Sequence, residues 1–167
     1  GSLAVVADLD YSHPDGPVWT IMSGGLTTIL EPDQAVWPAS SDLPVEWHVR
    51  SVEDASGNRI DWSWDGNVPY RIDYGGSSSG HPHTVQVEFQ YDVKAYPSYL
   101  ARDGHLDVID DQLARIVMRT NYDGLGLTEQ SRLEFDYVDW LHEPALDSVR
   151  VVEPTASESK TLAAFSY

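Results

Sequence analysis

The chain has 167 residues, 41% of them hydrophobic, with six Trp, nine Tyr and no Cys. One domain with a real core fits that size and content, and the lack of cysteine excludes disulfides, zinc–thiolate sites and thiol nucleophiles. The formal net charge of −17, from 27 acidic against 10 basic residues, argues against direct nucleic-acid binding, which needs clustered cations.

Aspartate outnumbers glutamate, 18 to 9, and Lys94 and Lys160 are the only lysines. Three readings fit this bias. It suits a protein from a salt-in halophile, an acidic face that repels nucleic acid or binds cations, or an acidic protein from a GC-rich genome. No run of 18 apolar residues is present, so no transmembrane span is expected. The first residues lack the basic and apolar regions of a signal peptide.

In chain order, Leu3–Leu9 reads as a first strand and Tyr11–Pro17 as a turn built on Pro14-Asp15-Gly16. Val18–Leu30 reads as strand, kink, strand, with Gly24-Gly25 at the kink. Glu31–Pro44 holds three prolines and no period, so a long loop is expected, anchored by Trp37. Val45, Trp47 and Val49 then alternate with polar neighbours. Asp54–Asn58 is a hairpin turn, Ile60, Trp62 and Trp64 alternate on the return, and Tyr70, Ile72 and Tyr74 repeat the pattern. A three-stranded antiparallel meander with an aromatic face is the expectation. Gly75–His83 (GGSSSGHPH) reads as a flexible exposed loop. Thr84–Val93 alternates over its whole length, as a strand with one buried and one wet face does.

Leu106–Thr120 reads as the one helix. Ile109, Leu113, Ile116, Val117 and Thr120 recur at spacings of three and four. Asp107, Asp110 and Asp111 open the segment and Arg115 and Arg119 close it, as the helix dipole favours. Arg132–Trp140 and Ser148–Glu153 read as strands. Pro154–Lys160 reads as loose, and Thr161–Tyr167 as an edge strand or arm. The sum is a single domain over 1–167: an antiparallel β-sandwich or β-barrel of about nine strands, one flanking helix over 106–120, and arms at 1–10 and 154–167.

Few motifs carry chemistry. Gly76–Gly80 matches G-x-S-x-G around Ser78, but a strand follows where a nucleophile elbow needs a helix. His81 and His83 fall on one side of an extended segment, and His13, His48, His105 and His142 are the only other imidazoles; zinc would need more ligands than any motif fixes. Asp54–Asn58 offers alternating oxygens but lacks the glycine position and terminal Glu of a calcium loop. No catalytic residue, metal or cofactor is therefore assigned, with His81, His83, Asp54 and Asn58 as the nearest to metal ligands. Trp47, Trp62, Trp64, Tyr70 and Tyr74 form either a core or an exposed platform for sugar rings or a partner.

The strand pattern over Val45–Glu153, with a helix set late in the strand order, resembles the tail-tube and related tail proteins of tailed viruses and the secretion tubes akin to them. The resemblance implies a non-enzymatic, ring-forming homo-oligomer that meets other assembly proteins and has an acidic lumen; no membrane contact is expected, since no apolar run is long enough to span one. It implies location in a virion, with cytoplasmic or extracellular as alternatives. The competing expectation is an acidic β-sandwich that binds carbohydrate or calcium.

Overall fold

A computed structural model describes residues 5–12, 16–32, 47–102, 105–121, 124–141, 143–154 and 158–167. Every regular element in it is a strand. Eleven strands follow one another in a single open antiparallel sheet whose spatial order is the order of the sequence. They are β1 (Val5–Asp10), β2 (Val18–Ser23), β3 (Leu26–Pro32), β4 (Trp47–Asp54), β5 (Asn58–Asp65) and β6 (Val68–Ser77), then β7 (Val85–Arg102), β8 (His105–Thr120), β9 (Thr128–Trp140), β10 (Glu143–Glu153) and β11 (Glu158–Ala164). The expected sandwich or barrel is thus replaced by an open sheet. Most of the expected loop at Glu31–Pro44, with Trp37, lies outside the described residues, as do His13 and His142. Glu31 and Pro32 end β3.

The main correction is the helix. Leu106–Thr120 is strand β8, running antiparallel beside β9 in a register from Arg115↔Glu134 to Thr120↔Thr128. As a strand the segment has mixed faces. Asp111, Leu113, Arg115, Val117 and Arg119 share one, and Gln112, Ala114, Ile116, Met118 and Thr120 share the other. Neither face is purely apolar, so the period of two was hidden while the spacing of three and four stood out. The β-branched residues Val108, Ile109, Ile116, Val117 and Thr120 favour the extended form. A clean amphipathic strand follows it in the sheet, and ladder hydrogen bonds outweigh the small helical preference of Leu, Ala and Arg.

The chain divides into two compact units, Gly1–Gln86 and Val87–Tyr167. In the first, β4, β5 and β6 form the expected meander. Two extra residues bulge from β6: Gly75, at φ 77°, and Tyr70. Glycine suits the first because left-handed backbone costs it no Cβ clash. Val5–Asp10 pairs along its full length with β2. In the second unit, Glu158–Ala164 pairs with β10. Among the described residues the buried aliphatic and aromatic side chains are Val18 and Val117, with Pro17 and Pro32 buried beside them. Most others are half-covered, as in a sheet with little packed against it.

Candidate functional site

The five aromatics occupy four separate settings. Trp47 meets Trp19 edge to face, with ring centroids 6.1 Å apart. Trp62 and Tyr74 share a face with Ile60 and Ile72, through Trp62↔Ile72 and Ile60↔Tyr74. Trp64 stacks on the buried His48 at 4.1 Å and donates its indole N–H to the Val49 carbonyl at 2.8 Å. Tyr70 stands exposed on its bulge, with the Arg71 guanidinium 5.7 Å from its ring centre. Only Tyr70 is exposed; the other four are half-buried.

The polar candidates are accounted for locally. Asp54 accepts from the backbone N–H groups of Ser56 and Asn58 and from the Asn58 side chain, at 2.7 to 3.0 Å. These bonds, the Asn58 side chain first, hold its pKa below the usual carboxylate range. That is the closure of a hairpin turn. His83 lies with Nε2 3.0 Å from Asp61 Oδ2. Its ring rests on Gly76, where a Cβ would come within 2.7 Å of the imidazole. The GGSSSGHPH stretch is therefore a folded turn: Gly80 donates to the Ser77 carbonyl and Ser78 to the Gly57 carbonyl. His81 is exposed on it. Among the described residues no three His, Asp or Glu side chains converge as a metal site.

Charge pairing is what the sequence reading missed. Asp61 and Asp73 sit directly opposite each other on β5 and β6, a repulsive arrangement unless cations intervene. Arg59 reaches Asp61 at 2.7 Å, and Arg71 reaches Asp73 at 2.7 Å. In the second unit one face carries a run of alternating charge. Arg132 contacts Glu129 and Glu134, Arg150 contacts Glu134 and Asp136, and Ser148 also donates to Asp136. Arg119 pairs with Glu88 on the same side. The Arg150 and Ser148 bonds lower the Asp136 pKa. Alternation at 132, 134 and 136 was readable, but partners from β10 are known only once the register is.

The opposite face of this unit is apolar. The registers Ile116↔Leu133↔Val151 and Phe135↔Val149↔Ala163 line up aliphatic and aromatic side chains across β8 to β10 and on to Ala163, with Lys160 opposite Val151 on β11. A cleft of about 380 Å³ opens beside it. Residues 135–139 of β9 line it without a break, along with Asp92, Val93 and Tyr96 of β7 and Gln112 of β8. Across it the Tyr137 hydroxyl donates to the Leu113 carbonyl at 2.9 Å. Burial raises the Tyr137 pKa, so the phenol keeps its proton.

No protein-family model matches the chain, and no curated protein sequence does. Solved structures do. The N-terminal domain of effector protein SpvB from Salmonella typhimurium strain LT2 superposes with a TM-score of 0.72 at 15% identity. The match covers 92% of this chain and 66% of that domain. A second match, to TcdB2-TccC3-TEV, has a TM-score of 0.64 at 14% identity, and covers 87% of this chain and 10% of that one. The chain therefore spans just under two thirds of one relative and a tenth of the other. At such identities the likeness is one of fold: a long antiparallel sheet found within larger proteins.

Proposed function

We propose that the chain is a non-enzymatic structural module, a β-sheet completed by further polypeptide packed on it. One observation carries the reading. Twenty-two large apolar or aromatic side chains are exposed among the described residues, while Val18 and Val117 are the buried apolar ones. A soluble protein standing alone rarely leaves so much apolar surface uncovered. The two matched structures support it, since in each the fold is part of a longer chain. In the second unit the charged face is already neutralised by its own ion pairs, so further polypeptide would lie on the apolar face, whose Ile116, Leu133, Phe135, Val149 and Val151 are half-buried, not fully covered.

The covering chain is either the remainder of a larger protein, as the effector domain suggests, or further copies of this one. The second form is the ring subunit implied by the tail-tube resemblance, and it would place the protein in a virion. Native mass spectrometry and light scattering over a hundredfold concentration range test the module reading together with binding of an apolar dye. Dye binding that falls as discrete oligomers form supports self-assembly, and dye binding by a lasting monomer supports a larger parent chain. A monomer that binds no dye and unfolds cooperatively at high temperature would overturn both.

A further inference from the structure

The sheet ends in two edges that differ. At β11 the ladder to β10 breaks its register at Leu162, and Lys160 lies on the strand. A bulge and a lysine are devices by which edge strands avoid pairing with another chain. At β1 all six residues pair with β2 in one unbroken register, from Val5↔Ser23 to Asp10↔Val18. The register runs on from β2 to β3 without a shift. β1 holds no proline and no lysine. Among the described residues β2 is the only strand paired with it. Every second residue of an edge strand turns its N–H and C=O away from the sheet, so about three residues of β1 offer both groups on the outer side.

The two faces of β1 define what suits that edge. Val5, Ala7 and Leu9 share one face with Trp19 and Ile21 of β2. Val6, Asp8 and Asp10 share the other with Met22, Thr20 and Val18. Val5 and Val6 are 64% and 53% exposed, and Asp8 and Asp10 are exposed too. No lysine or arginine occurs before Arg50, so β1, β2 and β3 hold none. Arg50 is on β4, three strands away, or ~14 Å at ~4.8 Å per strand, and its guanidinium faces Glu31. A second copy of β1 fits this edge poorly. Edge-to-edge pairing gathers Asp8 and Asp10 of both copies with no Lys or Arg among them, and like charges on facing strands are destabilising. A strand with Lys or Arg at alternate positions meets the aspartates instead. Apolar residues between its cations extend the face of Trp19 and Ile21.

We propose that the outer edge of β1 receives an extended segment of another protein, in which apolar and basic residues alternate, by β-augmentation. Backbone groups of the incoming segment pair with β1, and its basic side chains meet Asp8 and Asp10. The edge is read from the first unit alone and stands whether or not polypeptide covers the apolar face of the second.

The test uses the full chain and three capped seven-residue peptides: alternating Val-Lys, the same peptide methylated at every backbone nitrogen, and alternating Val-Glu. The Val-Lys peptide should bind, more weakly as salt rises. The methylated peptide keeps the charge but has no backbone N–H, and should bind at least about tenfold more weakly, the loss of two or more hydrogen bonds. The Val-Glu peptide should bind as weakly. Hydrogen exchange should slow within residues 5–10 when the Val-Lys peptide is present. Asp8→Lys, checked for folding by a urea melt, should weaken Val-Lys binding and strengthen Val-Glu binding. Equal binding of the methylated peptide would mean charge attraction alone and overturn the edge. So would protection that spares residues 5–10, or no binding. Val-Lys binding untouched by Asp8→Lys would overturn the basic-segment assignment. Protection of residues 5–10 by concentrated protein without peptide would also overturn it, by making a second copy the occupant.

Discussion

Val117→Ala is the sharpest probe of the second unit. Val117 is 2% exposed and lies on the charged face, in the row Val117↔Arg132↔Val152. Arg115 and Arg119 flank it on the same side of β8. Arg132 lies opposite it and Arg119 two residues on, both with heads held in ion pairs, and arginine stems so held can cover apolar surface. Truncation to Ala removes two carbons, about 1.6 kcal/mol at ~0.8 kcal/mol per buried CH₂. Loss of the β-branch in a strand adds up to about 1 kcal/mol, for a total of about 2–3 kcal/mol. In urea, with a slope of about 1–3 kcal/mol/M, the midpoint should fall by about 1 M at constant slope. Circular dichroism at the sheet minimum is the readout. Met118→Ala, one residue on and facing the other way at 37% exposure, should cost less than about 1 kcal/mol, as partly exposed sites do. Equal costs at 117 and 118, or a cost below about 0.5 kcal/mol at 117, would refute the strand assignment and the arginine cover together.

Three further expectations follow from named groups. Asp54 and Asp136 have folded-state pKa values below their unfolded ones. Their contribution is present above the unfolded carboxylate pKa and lost as pH falls through the folded one. Melting temperature should therefore drop on acidification below about pH 4, and an Asp54→Asn, Asp136→Asn double variant should show a shallower drop. Gly66→Ala tests the β5–β6 turn: φ is +55° and no neighbour lies within 4 Å of the new Cβ, so strain alone should cost about 1–2 kcal/mol in a urea melt. Gly76→Ala should cost more, because its Cβ collides with His83. With net charge −17, melting temperature should rise between 0.1 M and 2 M KCl as repulsion is screened; an unchanged or falling value would remove the halophile reading.

Much of the sheet was legible because its strands carry their own pattern. Val85, Val87, Phe89, Tyr91 and Val93 alternate without a break, and so do Ile60, Trp62 and Trp64. The segment 106–120 was not legible, because its partners decide its form. Arg115 and Arg119 suited a helix C-terminus, yet Arg119 is used by Glu88, 31 residues away in sequence. Val117 is buried in a row with Arg132, which no apolar count would anticipate. The sandwich or barrel expectation came from the same limit. Alternation shows that a strand has two unlike faces, but not what covers the apolar one. Tyr70 stands apart from the other aromatics because its bulge on β6 lies outside simple alternation. The end of the β8–β9 ladder at Arg115↔Glu134 left no mark in the sequence at all, since it exists only as the end of a register.

Which face of the second unit meets a partner can be decided on one strand. Ala163 and Ala164 are neighbours on β11, the last strand of the sheet order. Ala163 is opposite Val149, in the apolar row with Phe135; Ala164 is opposite Ser148, in the row with Asp136. Both side chains are small and lie on the strand paired with β10, Ala163 half-buried and Ala164 exposed, so a urea melt of each variant checks that the fold is kept. Ala163→Lys puts a cation into a row that offers no acid, and its desolvation on burial goes uncompensated. Ala164→Lys puts the same cation beside Asp136, where charge is already handled. If association covers the apolar face, Ala163→Lys should weaken it at least about tenfold, the effect of ~1.4 kcal/mol. Ala164→Lys should change it little, as measured by sedimentation equilibrium. Equal effects, or loss only at 164, would show that the charged face is the one covered.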